Sequence, residues 1–467
     1  MKIYRYEALE NELREQLLNG RYRNGERLPS IRTLCADYGV SKATVLHALH
    51  RLESDQWVVA QPKSGYFVQL PTIKSPKPNK VDTPVAPAPV TVPAIFRDIM
   101  GRSAAFDILP ADGFAESSQH LVLLNRLISR RLRTHPEQKA NYYDEPAGKI
   151  GLREALTELY RQRLLNTTPE EICITSGCQH ALFLALMATC KRGDTVAVES
   201  PAFYGVLQIM EQLELNIIEI SADAEMGLDV TELAEKISRW PIKACVVSPN
   251  FGTPTGSQMP LASRQRLLQL ALQHQFYVIE DDIYGDLAFG SESPAPLKAL
   301  DEHQQVILCG SFSKSLSRDL RIGWIMGAAL QDKLVQLKLI TQLASPQAVQ
   351  GGLAQFIAEG HYRRYVAQYK QRLREQRDQL LYELKQHWGD KISYSQPKGG
   401  LCLWVELPAH IDTQISYQGL LEQGVVLTPG VLFSAHGLYH NYLRISFSQP
   451  LTTRRRAALH QLFQALL

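Results

Sequence analysis

The segment SFSKSLSRDLRIGW, residues 311 to 324, sets Lys314 among serines and places Arg321 seven positions on, directly after the apolar run QVILCGS. A lysine on a loop is ordinarily a solvated charge, but the company of this one suggests chemistry. FYVIEDDIYGDL delivers Asp281 at a strand end and Tyr284 three residues later. TSGCQHALFLAL reads as strand, glycine turn and apolar helix, so the amides of Gly177, Cys178 and Gln179 would open a helix N-terminus, a ready seat for phosphate. An aldehyde cofactor such as pyridoxal phosphate requires a lysine amine for a Schiff base, a carboxylate on its ring nitrogen and a cluster of phosphate donors. Each has a candidate. Ser311, Ser313 and Arg321 add phosphate donors, the guanidinium as a planar, charge-assisted contact. Tyr284 can bond a ring hydroxyl, and Phe203 in ESPAFYG can stack on the ring.

Such residues need a scaffold to converge. EICITS, DTVAVES, KACVVSP, FYVIEDD and QVILCGS are short, β-branched and continuous rather than alternating, as strands buried on both faces should be. Helix-length segments separate them, which predicts an α/β sheet covered by helices from Phe96 onward. After about residue 340 the pattern turns to a long helix, HYRRYVAQYKQRLREQRDQLLYELKQH, with Tyr362, Tyr365, Tyr369, Leu373, Leu380 and Leu384 on one face. A strand-rich region beginning KISYSQPKGGLCLWVEL follows, and together they predict a smaller C-terminal α+β domain.

The first 70 residues read differently. Residues 7 to 18 can form an amphipathic helix, and LPSIRTLCADYGVSKATVLHALHRLESDQW can supply two more, with Ser30 and Ser41 at their starts and Gly39 in the turn between. This is helix-turn-helix spacing. Val45, Ala48, Leu49 and Leu52 would face inward, leaving Lys42 and Thr44 at the helix end that meets base edges and phosphates. WVVAQPKSGYFV reads as a hairpin wing with Lys63 and Gly65 at its tip. Between this module and the α/β region, residues 71–95 hold seven prolines and predict a linker. At about 3.1 Å per residue a polyproline-like chain of that length spans on the order of 75 Å.

Composition sets outer bounds. Residues 1–70 carry ten Lys and Arg against eight Asp and Glu, the linker three against one, and the remainder 37 against 38, so the basic excess lies in the N-terminal fifth and its tail, as a polyanion partner requires. The start MKIYRYEALE lacks the apolar stretch of a secretory signal, and ALFLALMATC is about half of the ~20 residues a membrane span needs. Seven cysteines without a C-x-x-C pair argue against a disulfide framework and a cysteine zinc site. A cytoplasmic chain without membrane or metal is the expectation.

LPSIRTL, GVSKATV, ALHRLE and SGYFV, in this order and spacing, strongly resemble the winged-helix module of the GntR family of bacterial transcription regulators. The resemblance implies a double-stranded DNA operator contacted by Arg32, Ser41, Lys42, Thr44 and Gly65, with Lys63 beside them on the wing. Leu46 departs from relatives that carry a second arginine there. SGCQ, ESPAFYG, PNFGTPTG, EDDIY and SFSKSLSRDLRIGW resemble the fold-type I aminotransferase pattern over nearly all of residues 96–467. That implies pyridoxal phosphate held by Lys314 as a Schiff base, with Asp281 on the ring nitrogen and Tyr284 on the ring hydroxyl. NYLRISFS, after PGVLFS, matches the segment whose arginine holds a substrate carboxylate, which gives Arg444 that role. Tyr143 in YYDEPAGKIGLREAL matches a tyrosine that reaches the cofactor phosphate of the facing subunit, with Tyr142 beside it, and so implies a homodimer. Where many aminotransferases read NPTG this chain reads GTPTG, so Thr253 offers a hydroxyl in place of an amide to the ring hydroxyl.

The full order, a winged helix-turn-helix over 1–70, a linker over 71–95 and an aminotransferase-like domain over 96–467, resembles the MocR-type branch of the GntR regulators. The function implied is a transcription regulator that senses pyridoxal phosphate or an amine or amino acid effector. A working aminotransferase with an appended DNA-binding domain stands beside it as the alternative, and a DNA-binding protein with an inert pocket as a third reading.

Overall fold

Ser30 and Ser41 start their helices through their side chains: each hydroxyl accepts the backbone N–H three residues on, from Thr33 at 3.1 Å and Thr44 at 3.2 Å. The computed structural model describes residues 5–18, 21–22, 24–62, 64–69, 76–90, 99, 107–109, 118–134, 143 and 145–466. The chain forms two compact units, Met1–Ser75 with Arg377–His387, and Pro76–Gln376 with Trp388–Leu467.

In the first unit, helices α1 (Arg5–Leu18), α2 (Ile31–Tyr38) and α3 (Lys42–Ser54) precede a hairpin of β1 (Val58–Gln61) and β2 (Gly65–Val68). Gly39 closes α2 at φ 60°, a left-handed turn that glycine enters without steric cost. Leu9, Leu13, Leu34, Val45, Leu49 and Leu52 fill the core, the inward face of α3 being the one the sequence spacing predicts. Buried Glu10 ties α1 to α3 by receiving Arg14 at 2.7 Å and Arg51 at 2.9 Å.

The second unit is built on a nine-stranded sheet. Its members are β3 (Ala88–Pro89), β4 (Ile172–Thr175), β5 (Thr195–Ser200), β6 (Asn216–Asp223), β7 (Gly227–Leu228), β8 (Ala244–Val247), β9 (Tyr277–Asp281), β10 (Val306–Ser311) and β11 (Gly323–Met326). They run in the order β3-β6-β5-β8-β9-β10-β11-β4, with β7 on β6. β6, β5, β8, β9 and β10 are parallel, and β11 is antiparallel to both β10 and β4. Every residue of β4, β8 and β10 is buried, which is why those runs read as continuously apolar. Helices cover both faces; Gln347–Ala358, for one, sends Leu353, Phe356 and Ile357 into the cluster that holds Leu308 and Trp324.

A second sheet joins β12 (Ser393–Tyr394), β13 (Cys402–Glu406) and β14 (Tyr442–Ser446), antiparallel throughout. It follows the 28-residue helix His361–Trp388, whose Tyr362, Tyr365, Leu373, Leu380 and Leu384 are buried. Much of the proline-rich stretch departs from a free polyproline spacer: residues 76–90 lie on the second unit, where β3 pairs with the edge of β6 and Pro76 accepts the Tyr394 amide at 3.2 Å. Lysines and a threonine between the prolines supply the polar contacts that hold it there.

Candidate cofactor site and nucleic-acid interface

The strand order decides where the candidate residues meet. β9 and β10 are parallel neighbours with Asp281 opposite Cys309, so Asp281 at the end of β9 and the Lys314 loop after β10 leave the sheet at the same edge. Ligands of open α/β sheets bind at that carboxyl edge. Ser311 pairs with Gly323 and Gly323 with Thr175, which brings the β10 end beside the turn before the helix Cys178–Thr189. Gly177 caps that helix at φ +98°, and a side chain on it would stand 2.8 Å from the Arg321 guanidinium. Arg321 donates to the Ser176 carbonyl at 2.8 Å, so it lies along the mouth of the same helix end. Ser311 Oγ accepts the Ser313 amide at 3.3 Å. A phosphate-bearing cofactor fits this cup, where a Cβ at Gly177 would displace the Arg321 guanidinium and which is edged by that guanidinium, hydroxyls and the first amides of a helix.

Phe203, Thr253 and Asp281 line one small cavity of about 20 Å³ together with Glu199. Burial raises the Glu199 carboxyl to about 7, against hydrogen bonds from the Ser248 and Leu228 amides. Burial likewise lifts Asp281 to about 6, opposed by the Cys178 thiol, the Ile283 amide and the charge of Lys314. Lys314 is pushed well below the ordinary lysine range, first by burial and then by the positive charges of Arg318 and Arg444. A buried lysine with a depressed pKa presents a neutral amine, the form that attacks an aldehyde. Tyr284 is 3 % exposed, and burial pushes its phenol well above 10.

Arg444 sits on β14 opposite Trp404 and is 3 % exposed. Its Nη1 donates to Thr253 Oγ1 at 3.4 Å, and its guanidinium lies over the Phe433 ring at 5.3 Å and the Tyr204 ring at 5.8 Å. Thr253 therefore faces the arginine as well as the cavity beside Asp281. Tyr143 is 75 % exposed and is not packed into this cluster of its own chain.

Several supporting residues escaped the sequence reading. Cys178, counted only for its amide, donates its thiol to Asp281 Oδ1 at 3.3 Å. Asp282, beside Asp281, receives Arg163 in a buried bidentate pair at 2.5 and 2.8 Å, which locks the chain just past β9. Ser315, beside Lys314, lies 2.8 Å from the Tyr362 hydroxyl, which also reaches Asp286 at 2.6 Å. Phe312 packs against Trp324 and Tyr362, anchoring the start of the lysine loop. Tyr204 stood within ESPAFYG, so its motif was visible although its task beside Arg444 was not.

In the first unit Arg32 and Lys42 are exposed at the starts of α2 and α3. Ser41 and Thr44 share a hydrogen bond at 2.9 Å in addition to the cap, so both hydroxyls also serve the helix end itself. Gly65 opens β2 at φ +102° and is exposed; Lys63 lies outside the described residues.

The sheet, the lysine between two strand ends and the glycine-capped cup define a fold-type I domain of the pyridoxal phosphate class, joined to a winged helix. Residues 114–460 match the family aminotransferase class I and II, and residues 5–68 match bacterial regulatory proteins, gntR family. The chain is 36% identical over 99% of its length to the uncharacterized HTH-type transcriptional regulator YjiR of Escherichia coli, covering 98% of that protein. It is 31% identical to aromatic-amino-acid aminotransferase 1 of Thermococcus litoralis, over 74% of this chain and 84% of that one. The structure of LysN, the alpha-aminoadipate aminotransferase of Thermus thermophilus complexed with N-(5'-phosphopyridoxyl)-L-leucine, superposes with a TM-score of 0.72 at 28% identity, covering 80% and 94% of the two chains. The chain thus belongs to the aminotransferase class I and II family, in its MocR-type form with a GntR winged helix ahead of it. That membership implies pyridoxal phosphate as cofactor, and the winged helix implies DNA binding. Among the described residues no helix is long and apolar enough to cross a membrane.

Proposed function

We propose that this protein is a homodimeric transcription regulator whose second unit binds pyridoxal phosphate through Lys314 and reports an amine or amino acid to the winged helix. The observation that carries the reading is Lys314 itself, a half-buried lysine on the loop after β10, at the sheet edge where β9 ends in Asp281, with its amine pushed well below the ordinary lysine range, in a chain whose first unit is a DNA-binding fold. Its amine can attack the cofactor aldehyde with loss of water. Asp281 would pair with the ring nitrogen, Tyr284 and Thr253 with the ring hydroxyl, and the Gly177 cup with Ser311 and Arg321 would hold the phosphate. Arg444 would take the carboxylate of an amino acid effector. The regulators named among its relatives span the whole chain, which favours a role for both units. Tyr143 is exposed, as a tyrosine that reaches the facing subunit would be.

An effector shifts an equilibrium only by its differential affinity for two states. Lys314→Ala should keep baseline DNA affinity and lose the change in affinity that cofactor and amine produce. Absorbance of the purified protein with and without amines, read beside DNA binding in the same samples, tests this. Both properties unchanged in Lys314→Ala would reject it. Lys314, Asp281 and Arg444 standing together also favour a second reading, a working aminotransferase. Steady turnover of an amino donor with a keto-acid acceptor would establish that reading, and a visible cofactor band without turnover would exclude it.

A further inference from the structure

Residues 76–90 touch both sheets of the second unit. On the side of the small sheet, the Pro76 carbonyl accepts from Tyr394 on β12, and the Asn79 amide and side chain both donate to Glu406 on β13, at 2.7 and 2.8 Å. The Asn79 carbonyl accepts the Tyr442 hydroxyl at 3.2 Å. Tyr442 is on β14, two residues before Arg444, and stacks on Trp404, the residue opposite that arginine. On the side of the large sheet, Lys77 pairs with Glu225 at 2.5 Å, and Lys80 with Asp229 and Glu232. The Thr83 hydroxyl lies 2.9 Å from the Glu219 carbonyl of edge strand β6, and buried Lys236 donates to the carbonyls of Pro84 and Glu219 at 2.9 and 2.8 Å. Ala88 and Pro89 then complete the β6 edge.

Glu225, Asp229, Glu232 and Glu406 line the path of this segment, and its own cations are Lys77 and Lys80. Isolated exposed ion pairs are worth little. Here they are joined by charge-assisted hydrogen bonds to a fixed backbone and by strand pairing, so the segment is held at both ends. We propose that residues 76–90 form a strap seated in an acidic channel of the aminotransferase-like unit, tying the small sheet to the large one. Displacement of β14 when a carboxylate engages Arg444 is then transmitted to the chain that leads to the winged helix. This rests on the regulator reading above, as a statement of how that reading operates.

Hydrogen exchange of the full-length protein, without DNA, tests the strap separately from regulation. Lys77→Ala/Lys80→Ala changes only exposed side chains and should leave β9 protected, while the strap's bonded amides, that of Asn79 on Glu406 and that of Tyr394 on Pro76, exchange at least about fivefold faster than in the parent. In the parent, saturating pyridoxal phosphate followed by L-alanine should change exchange in the same amides. Equal strap exchange in parent and double variant would overturn the seating. Strap exchange that is blind to cofactor and alanine, although the visible band shows both bound, would overturn the transmission. A protein whose DNA affinity ignores cofactor and amine while its strap responds would refute the regulator reading and leave the strap standing.

Discussion

The Cys178 thiol donates to Asp281 Oδ1 at 3.3 Å, and the Ile283 amide reaches the same oxygen at 3.2 Å. The thiol is itself driven well above its ordinary pKa, by burial and then by Asp281, so it stays a donor. Cys178→Ala removes one of two donors that favour the ionised carboxyl, at a cost of about 1 kcal/mol, or roughly fivefold in affinity for pyridoxal phosphate. The visible band should weaken at neutral pH, and Cys178→Ser should restore it. A wild-type titration curve for the alanine variant would show that the thiol only fills space.

Cofactor retention should depend on pH through the same carboxyl. Burial places Asp281 at about 6, so below that pH it is largely protonated and loses the charge that pairs with a protonated ring nitrogen. Retention should therefore fall as pH drops through about 6 and level off above it. Uptake should not climb toward the ordinary lysine pKa, because burial pushes the Lys314 amine well below that range. Equilibrium dialysis and stopped-flow absorbance between about pH 5 and 9 would measure both limbs. An uptake rate still rising at the alkaline end would contradict the depressed lysine.

Gly177→Ala should damage the phosphate cup. The new Cβ meets Arg321 Nη2 at 2.8 Å, at a backbone φ of +98° that alanine rarely adopts. Strain of this kind costs about 1–3 kcal/mol; where the turn relieves it by distorting the cup, pyridoxal phosphate should bind about five- to 150-fold more weakly, as read by fluorescence titration. Pyridoxal without its phosphate should be nearly indifferent to the change.

Two neighbouring residues at the start of α3 should separate folding from DNA contact. Ser41→Ala loses the cap on Thr44 and about 1 kcal/mol of stability, visible as a lower Tm of the first transition. Lys42→Ala should melt normally. If Lys42 meets a phosphate, its removal lowers the slope of log affinity against log salt by about 0.9. An unchanged slope would take Lys42 out of the interface.

The sequence disclosed most where burial is symmetrical. β4, β5, β8, β9 and β10 stand out because both faces are covered, and motifs at their ends announced the Lys314, Asp281 and Gly177 positions. The helix-turn-helix was equally plain, because Ser30, Gly39 and Ser41 mark boundaries by local chemistry. Contacts between distant segments left no trace. Nothing in VSPNFGTPTG or NYLRISFS says that Thr253 meets Arg444, 191 residues away. Cys178 looks like any helix-start residue until Asp281 is folded against it. The proline-rich stretch shows an extended chain in its composition, whereas the carboxylates that receive it lie 148 to 327 residues further on.

The rim of the large sheet carries one more lesson. Along β6, Ala88 and Pro89 cover Ile217 and Asn216, the Asp229 amide reaches the Ser221 carbonyl at 2.9 Å, and Glu232 takes the Ser221 amide. An uncovered rim of this kind is a template for strands of other molecules, and a proline on it, having no N–H, ends the addition. A fragment trimmed to begin at residue 96 would bare that rim and invite aggregation, whereas one beginning at Pro76 keeps its own guard.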